Sequence, residues 1–339
     1  MSYKSFNIIF LVIILLGLGS VAGFNFFIDP LWTFQHNHKY NDVQVNINER
    51  QLKVNQIHFS KDFDYDTLLL GSSRTTYIHP GDFENMDVYN FAASDLSFKE
   101  YKSMIDFAKK EKGSEFERII IGVDFNKSSM EQSAEDLTLD EYIDNATSPF
   151  YRYKNLLSLD VLNYAKKNYR LSKDDKIILL RSYNRYNMTF AREFQPETIR
   201  KETEAKVVKF RKLFYGDNYE YNPEFKEVLQ QIKEDNPNTE FVIFTSPISA
   251  PLFEAIVDEG NLDDYHHWLN EIIDVFGGVY NFMGVNTVTS DILNYFDGHH
   301  YYPHVGEMIA KRISADNPTG VPDDFGIYLT EHVGEEEIQ

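Results

Sequence analysis

The chain has 339 residues, 42% of them apolar and 25% charged, enough for one large domain or two modest ones. Its 53 acidic against 33 basic residues leave a net charge of −20, which argues against the clustered Lys and Arg surface that nucleic acid or an anionic membrane face requires. Cysteine is absent, which removes disulfides, thiolate metal ligands and a cysteine nucleophile together.

No charge interrupts Ser5 to Ile28, where Phe6, Ile8, Leu11, Ile14, Leu18 and Phe27 recur through about 24 residues, enough to cross a ~30 Å hydrocarbon core. The stretch exceeds a normal signal-peptide core, and Phe24, Phe26, Phe27 and Trp32 carry it on to an interface. It therefore reads as an uncleaved anchor, although Ser20-Val21-Ala22 would serve as a cleavage site. With Lys4 on the cytoplasmic side, everything after Asp29 is expected outside the cytoplasmic membrane. Asp29-Pro30 ends the span, because proline cannot continue a helix and biases its predecessor away from one. A polar connector then runs to residue 65 and contains a short surface helix over Asn48–Ile57.

The apolar run Thr67–Leu70 is too short for a helix and ends at Gly71-Ser72-Ser73-Arg74, the pattern of a buried parallel strand. Met86–Phe91 and the strongly apolar Arg118–Asp124 read as two further strands, with a helix from about Ser97 to Lys110 between them. From about 127 to 233 the strand signal gives way to Leu, Tyr and charge at helical spacing, a helical insertion. Strands resume at Thr239–Ser246 and Gly278–Phe282, separated by a helix over Leu262–Phe276, and a last helix, Val305–Ile313, precedes a tail from residue 314. About five strands alternating with helices predict an α/β fold, a parallel sheet covered on both faces in a three-layer α/β/α sandwich of flavodoxin-like winding. The domain is expected over 66–313, carrying the insertion and tethered by residues 1–28.

A serine delivered to the carboxyl edge of such a sheet stands where ligands bind in open α/β folds. A hydroxyl is a weak nucleophile at neutral pH and needs an adjacent base. Tyr295-Phe296-Asp297-Gly298-His299-His300 supplies one: an acid and an imidazole three apart in a turn can fold back on each other, with Asp297 accepting from Nδ1 and Nε2 left facing outward. Ser73, His300 and Asp297 are thus the expected nucleophile, base and orienter. His299, His300 and His304 with Asp297 have too loose a spacing to argue for a metal. Arg74 has two readings, a hold on an anionic group or on a neighbouring carboxylate, and Asp124 has the matching reading of a structural acid.

These blocks resemble the SGNH, or GDSL-like, hydrolase superfamily. Gly71-Ser72-Ser73-Arg74 is similar to its first block, Asn90-Phe91-Ala92-Ala93-Ser94 to its second, Gly122-Val123-Asp124 to its third and Asp297-Gly298-His299-His300 to its closing Asp-x-x-His. An anchor followed by Asp-Pro, the Gly-Ser-Ser-Arg block and an aromatic-Asp-x-x-His-Tyr ending are similar to bacterial membrane-anchored members. The resemblance implies an ester hydrolase or acyltransferase acting on a cell-envelope polysaccharide or its acyl donor, beside a membrane-bound O-acyltransferase, without a cofactor. It implies an oxyanion site drawn from the backbone of Ser73 and Ala92 and from the side chain of Asn90 or Asn126. The chain departs from the pattern at Ala92, where glycine is usual, and at Asp124, where an asparagine normally donates to the oxyanion. An ionised carboxylate cannot donate, and one lost donor typically raises the barrier by ~2.7 to 4 kcal/mol.

Overall fold

The computed structural model describes residues 2–45, 47–135, 138–174 and 179–334. Leu68, Leu69 and Leu70 and, beside them, Ile119, Ile120 and Ile121 are wholly buried, as strands covered on both faces must be. They form β1 (Thr67–Gly71) and β3 (Arg118–Val123), paired in parallel with Leu69 opposite Ile120. With β2 (Val88–Asn90), β4 (Glu240–Thr245), β5 (Val279–Asn281) and β6 (Ile327–Leu329) they make a mixed sheet of order β2-β1-β3-β4-β5-β6. The first five strands are parallel, and β6 runs antiparallel to β5.

The strand β6 lies within the tail expected from residue 314. It spans three residues, and Ile327 and Tyr328 are more than half exposed, so it carries neither the length nor the alternation that marks a strand in sequence. The helices of the sheet-bearing unit are α1 (Tyr101–Lys112), α2 (Pro196–Leu213), α3 (Glu224–Glu234), α4 (Ala250–Asp258), α5 (Leu262–Phe276) and α6 (Pro303–Ser314). The entry to α1 is a short 3-10 turn over Phe98–Glu100, where Ser97 and Glu100 form a capping box.

The chain divides into two compact units, one of Met1–Asp62 with Asp140–Arg192 and one of Phe63–Leu139 with Glu193–Gln339. The helical stretch expected as one insertion is therefore split: α2 and α3 belong with the sheet, and residues 140–192 fold with the N-terminal segment. Residues 140–192 also contain two strands, Ser182–Tyr183 and Thr189–Phe190, which pair antiparallel with each other, while Ser182–Tyr183 pairs with Gln44–Val45. Each is two residues long, below the reach of any periodicity.

In this smaller unit the first helix spans Tyr3–Ile28 and is long and apolar enough to cross a membrane. It stops at Asp29, whose backbone is left-handed at φ 47° and whose carboxylate accepts from the amides of Thr33, Phe34 and Gln35. Arg185 donates to the carbonyls of Ile28, Asp29 and Asn41, so the last turn of the apolar helix ends on a buried guanidinium. The helix Glu49–His58, expected at the surface, is instead mostly buried, Lys53 included. Lys53 lies beside Glu49, which also pairs with Arg181 at 2.8 Å, and over the ring of Tyr183.

Candidate active site

The β1 strand ends at Gly71, and the turn after it carries Ser72, Ser73 and Arg74 into a 3-10 turn over Thr75–Tyr77. The Asp297–His300 turn comes from the opposite end of the chain, just before α6. It folds as the spacing predicts. One oxygen of Asp297, Oδ1, accepts the backbone N–H of His299 at 3.0 Å and of His300 at 2.7 Å, and the other, Oδ2, meets His300 Nδ1 at 2.9 Å. Gly298 makes the turn possible, with φ +73°, and a Cβ there would lie 2.7 Å from Thr203 Cγ2. His300 Nε2 then stands 2.9 Å from Ser73 Oγ. Because Nδ1 faces a carboxylate it carries the proton, and Nε2 presents its lone pair to the serine. The ring of Phe296 lies parallel to the imidazole at 5.4 Å and fixes its plane.

Burial pushes the Asp297 carboxyl up, but the charges of His300 and Lys206 and the hydrogen bond from His300 outweigh it and hold the group well below the ordinary carboxylate range. Asp297 is therefore ionised at neutral pH. Burial, with the charges of Arg74 and His300, pushes His299 well below the ordinary imidazole range, so its ring is neutral beside Phe210 and edge-on to His300. His304 is occupied elsewhere, with Nε2 on Asn294 Oδ1 at 2.9 Å. Among the described residues, no group of three or more His, Asp or Glu side chains is arranged to hold a metal ion.

The remaining expected residues sort differently. Arg74 is buried, with Nη2 2.6 Å from Asp124 Oδ1 and Nη1 donating to the carbonyl of Ser246 at 2.7 Å. Of its two readings, the neighbouring carboxylate holds, and Arg74 ties the end of β3 to the end of β4. Asn90 is buried and spends its amide on the carbonyls of Thr75 and Ile78, both at 2.9 Å, which shape the turn after Ser73. Its Oδ1 accepts the amide of Ala92 at 2.9 Å. Both expected oxyanion donors of the second block are thus committed to the fold, since a short strand end needs its polar groups paired before it can offer them outward. Asn126 sits in the 3-10 turn after β3 and makes no side-chain hydrogen bond among the described residues. The backbone of Ser73 lies in the turn after β1 and remains the other candidate.

The sequence left Lys206 unremarked. Its ammonium lies 2.8 Å from Asp297 Oδ2, the oxygen that also meets His300. Thr203, Lys206 and Phe210 are three and four apart on α2, one face of a helix, and touch Gly298, Asp297 and His299 respectively. That spacing is visible in the sequence, but nothing there says which loop the face meets. Around the site, Ser72 Oγ, Arg74 Nε, Thr203 Oγ1, Ser249 Oγ, Tyr295 OH, His299 Nδ1 and Tyr301 OH are buried without a hydrogen-bond partner among the described residues. Unpaired buried polar atoms are rare in ordinary cores, and a functional role is one of the reasons they persist. Comparison with models of known protein families and with curated proteins finds no match to this chain.

Proposed function

We propose that the chain is a serine-dependent acyl esterase or acyltransferase of the SGNH type, acting on a cell-envelope polysaccharide or related polymer. The observation that carries this is the pair of 2.9 Å contacts linking Ser73 Oγ to His300 Nε2 and His300 Nδ1 to an ionised Asp297. In this reading Ser73 Oγ bonds to the acyl carbonyl carbon as its proton passes to His300 Nε2, and Asp297 stabilises the imidazolium. His300 returns the proton to the departing oxygen, leaving an acyl-serine. Water or a sugar hydroxyl then attacks, giving its proton to His300, and Ser73 Oγ leaves with it.

The strand order, with Ser73 at the carboxyl end of β1, supports a doubly wound, flavodoxin-like sheet inside a three-layer α/β/α sandwich. The 26-residue apolar helix supports a single-pass anchor in the cytoplasmic membrane, with the sheet-bearing domain on the outer side. A membrane-bound O-acyltransferase is the partner this placement favours. The chemistry needs no cofactor.

A second reading has a specific observation behind it: Asn90 and Ala92 are spent, and Asp124 stands where an amide donor is expected. It makes the chain a catalytically inactive binding or assembly module for that acyltransferase. A serine-reactive fluorophosphonate and p-nitrophenyl acetate, applied to the full chain and to Ser73→Ala, separate the two. Labelling and turnover that vanish in Ser73→Ala are expected. A chain that neither labels nor turns over, in cells whose polymer acylation survives Ser73→Ala, would establish the second reading instead.

A further inference from the structure

We infer that Lys206 is a positioning residue that sets the pH range of the Ser73–His300–Asp297 site from outside it, an inference that rests on the reading of these residues as a triad. Two donors converge on a single oxygen: Lys206 Nζ at 2.8 Å and His300 Nδ1 at 2.9 Å both meet Asp297 Oδ2, while Oδ1 takes the two backbone amides of the turn. Four donors from two elements leave the carboxylate no freedom to rotate. The ammonium thus shares its carboxylate oxygen with the base. Asp297 stabilises the His300 imidazolium; Lys206 offsets part of that stabilisation.

The charged and titratable groups around the imidazole allow the sign to be worked out. On its own turn stand Asp297, ionised, and His299, neutral; from α2 comes Lys206; from the turn after β1 come Ser73 and Arg74, and Arg74 is paired with Asp124. Lys206 is the cation in contact with the acid of the triad, and among the described residues Asp297 is the carboxylate it pairs with. A positive charge near a histidine favours its neutral form, so Lys206 keeps His300 able to accept the serine proton at lower pH than an Asp–His pair alone would. Thr203 and Phe210 on the same face hold the ammonium in register by packing on Gly298 and His299. In this view α2 serves the site as a clamp that carries a charge.

The test is the rate of fluorophosphonate labelling of Ser73 in the full chain, followed from about pH 4.5 to 8, the range in which histidine titrates. Lys206→Met and Lys206→Gln are expected to move the acid limb of the profile upward by about one pH unit, a roughly tenfold loss of rate on that limb, and Lys206→Arg is expected to restore it. Unfolding midpoints of each variant identify any that fails to fold, and Gln keeps a donor of similar reach if Met does not. Acid limbs that coincide with the parent while labelling persists would overturn the inference. A parent chain that never labels refutes the triad reading and leaves this one open to a second measurement, the NMR titration of the His300 ring, which must shift upward in Lys206→Met or Lys206→Gln for the inference to stand.

Discussion

Asp124 shows at the residue scale how a motif position can be kept for the fold. Its carboxylate is 5% exposed and 2.6 Å from the guanidinium of Arg74, itself 1% exposed. Breaking such a buried pair from one side leaves an uncompensated charge, at a cost of about 3–5 kcal/mol. Asp124→Asn would place an amide at the end of β3 and at the same time strand Arg74. The expected outcome in chemical denaturation of the detergent-solubilised chain is a loss of stability in that range, with no gain in p-nitrophenyl acetate turnover. A variant as stable as the parent, or faster, contradicts the assignment. The residues that do the proposed chemistry were legible, because Ser73 follows a buried run and Asp297-x-x-His300 is a local pattern. What those residues rest on was not: the partners of Arg74, Asn90 and Lys206 lie 50, 15 and 91 positions away along the chain, as Asp124, Thr75 and Asp297. Long-range pairing of polar side chains leaves no periodic trace.

At the scale of elements, what decides the geometry is how closely α6 approaches the turn after Ser73. Gly306 lies in the first turns of α6, and a Cβ built there would stand 2.4 Å from the carbonyl oxygen of Tyr77 and 3.0 Å from Ile78 Cα, both backbone atoms that cannot swing aside. Helix and turn therefore touch backbone to backbone, and α6 begins three residues after His300. Gly306→Ala is expected to destabilise the chain by about 1–3 kcal/mol through overpacking and to push His300 away from Ser73. The second effect separates this from a merely local clash: fluorophosphonate labelling should fall at temperatures where circular dichroism still reports a folded chain. Labelling at the parent rate in a folded Gly306→Ala chain would refute the coupling. Long or strongly apolar elements such as β1, β3, β4 and α5 were readable because burial on both faces, or one continuous apolar stripe, writes itself into composition. The strand β6 and the strands Ser182–Tyr183 and Thr189–Phe190 were not, because two or three residues paired at an edge impose no pattern on their own sequence.

For the molecule as a whole, the division into two units has a spectroscopic counterpart, since the chain's two tryptophans fall one in each. Trp32 belongs to the smaller unit, buried in a cluster with Leu52 and Tyr183, and Trp268 belongs to α5. Lys53, next to Leu52, makes the smaller unit's stability depend on pH in a calculable direction. Burial pushes its ammonium down to about 7, against the opposing charge of Glu49. An unfolded lysine titrates near 10.4, so between about pH 7 and 10 the unfolded chain holds a proton that the folded chain has released. Stability must then rise with pH across that window, by up to about 1.4 kcal/mol per pH unit for this one group, and level off below pH 7 where both states are protonated. Burial also pushes the phenol of Tyr151 in the same unit upward, but an unfolded tyrosine ionises only near pH 10, so its opposing effect is confined to the top of this window. In a Trp268→Phe background, the denaturation midpoint reported by Trp32 fluorescence is expected to climb between pH 7 and 10, and Lys53→Met is expected to flatten it while Glu49 keeps Arg181 as its partner. In the reciprocal Trp32→Phe background, Trp268 reads the sheet-bearing unit, where no lysine among the described residues is so buried. A Trp32 midpoint that is flat across the window, or a slope that survives Lys53→Met, would show that the proton is taken up elsewhere.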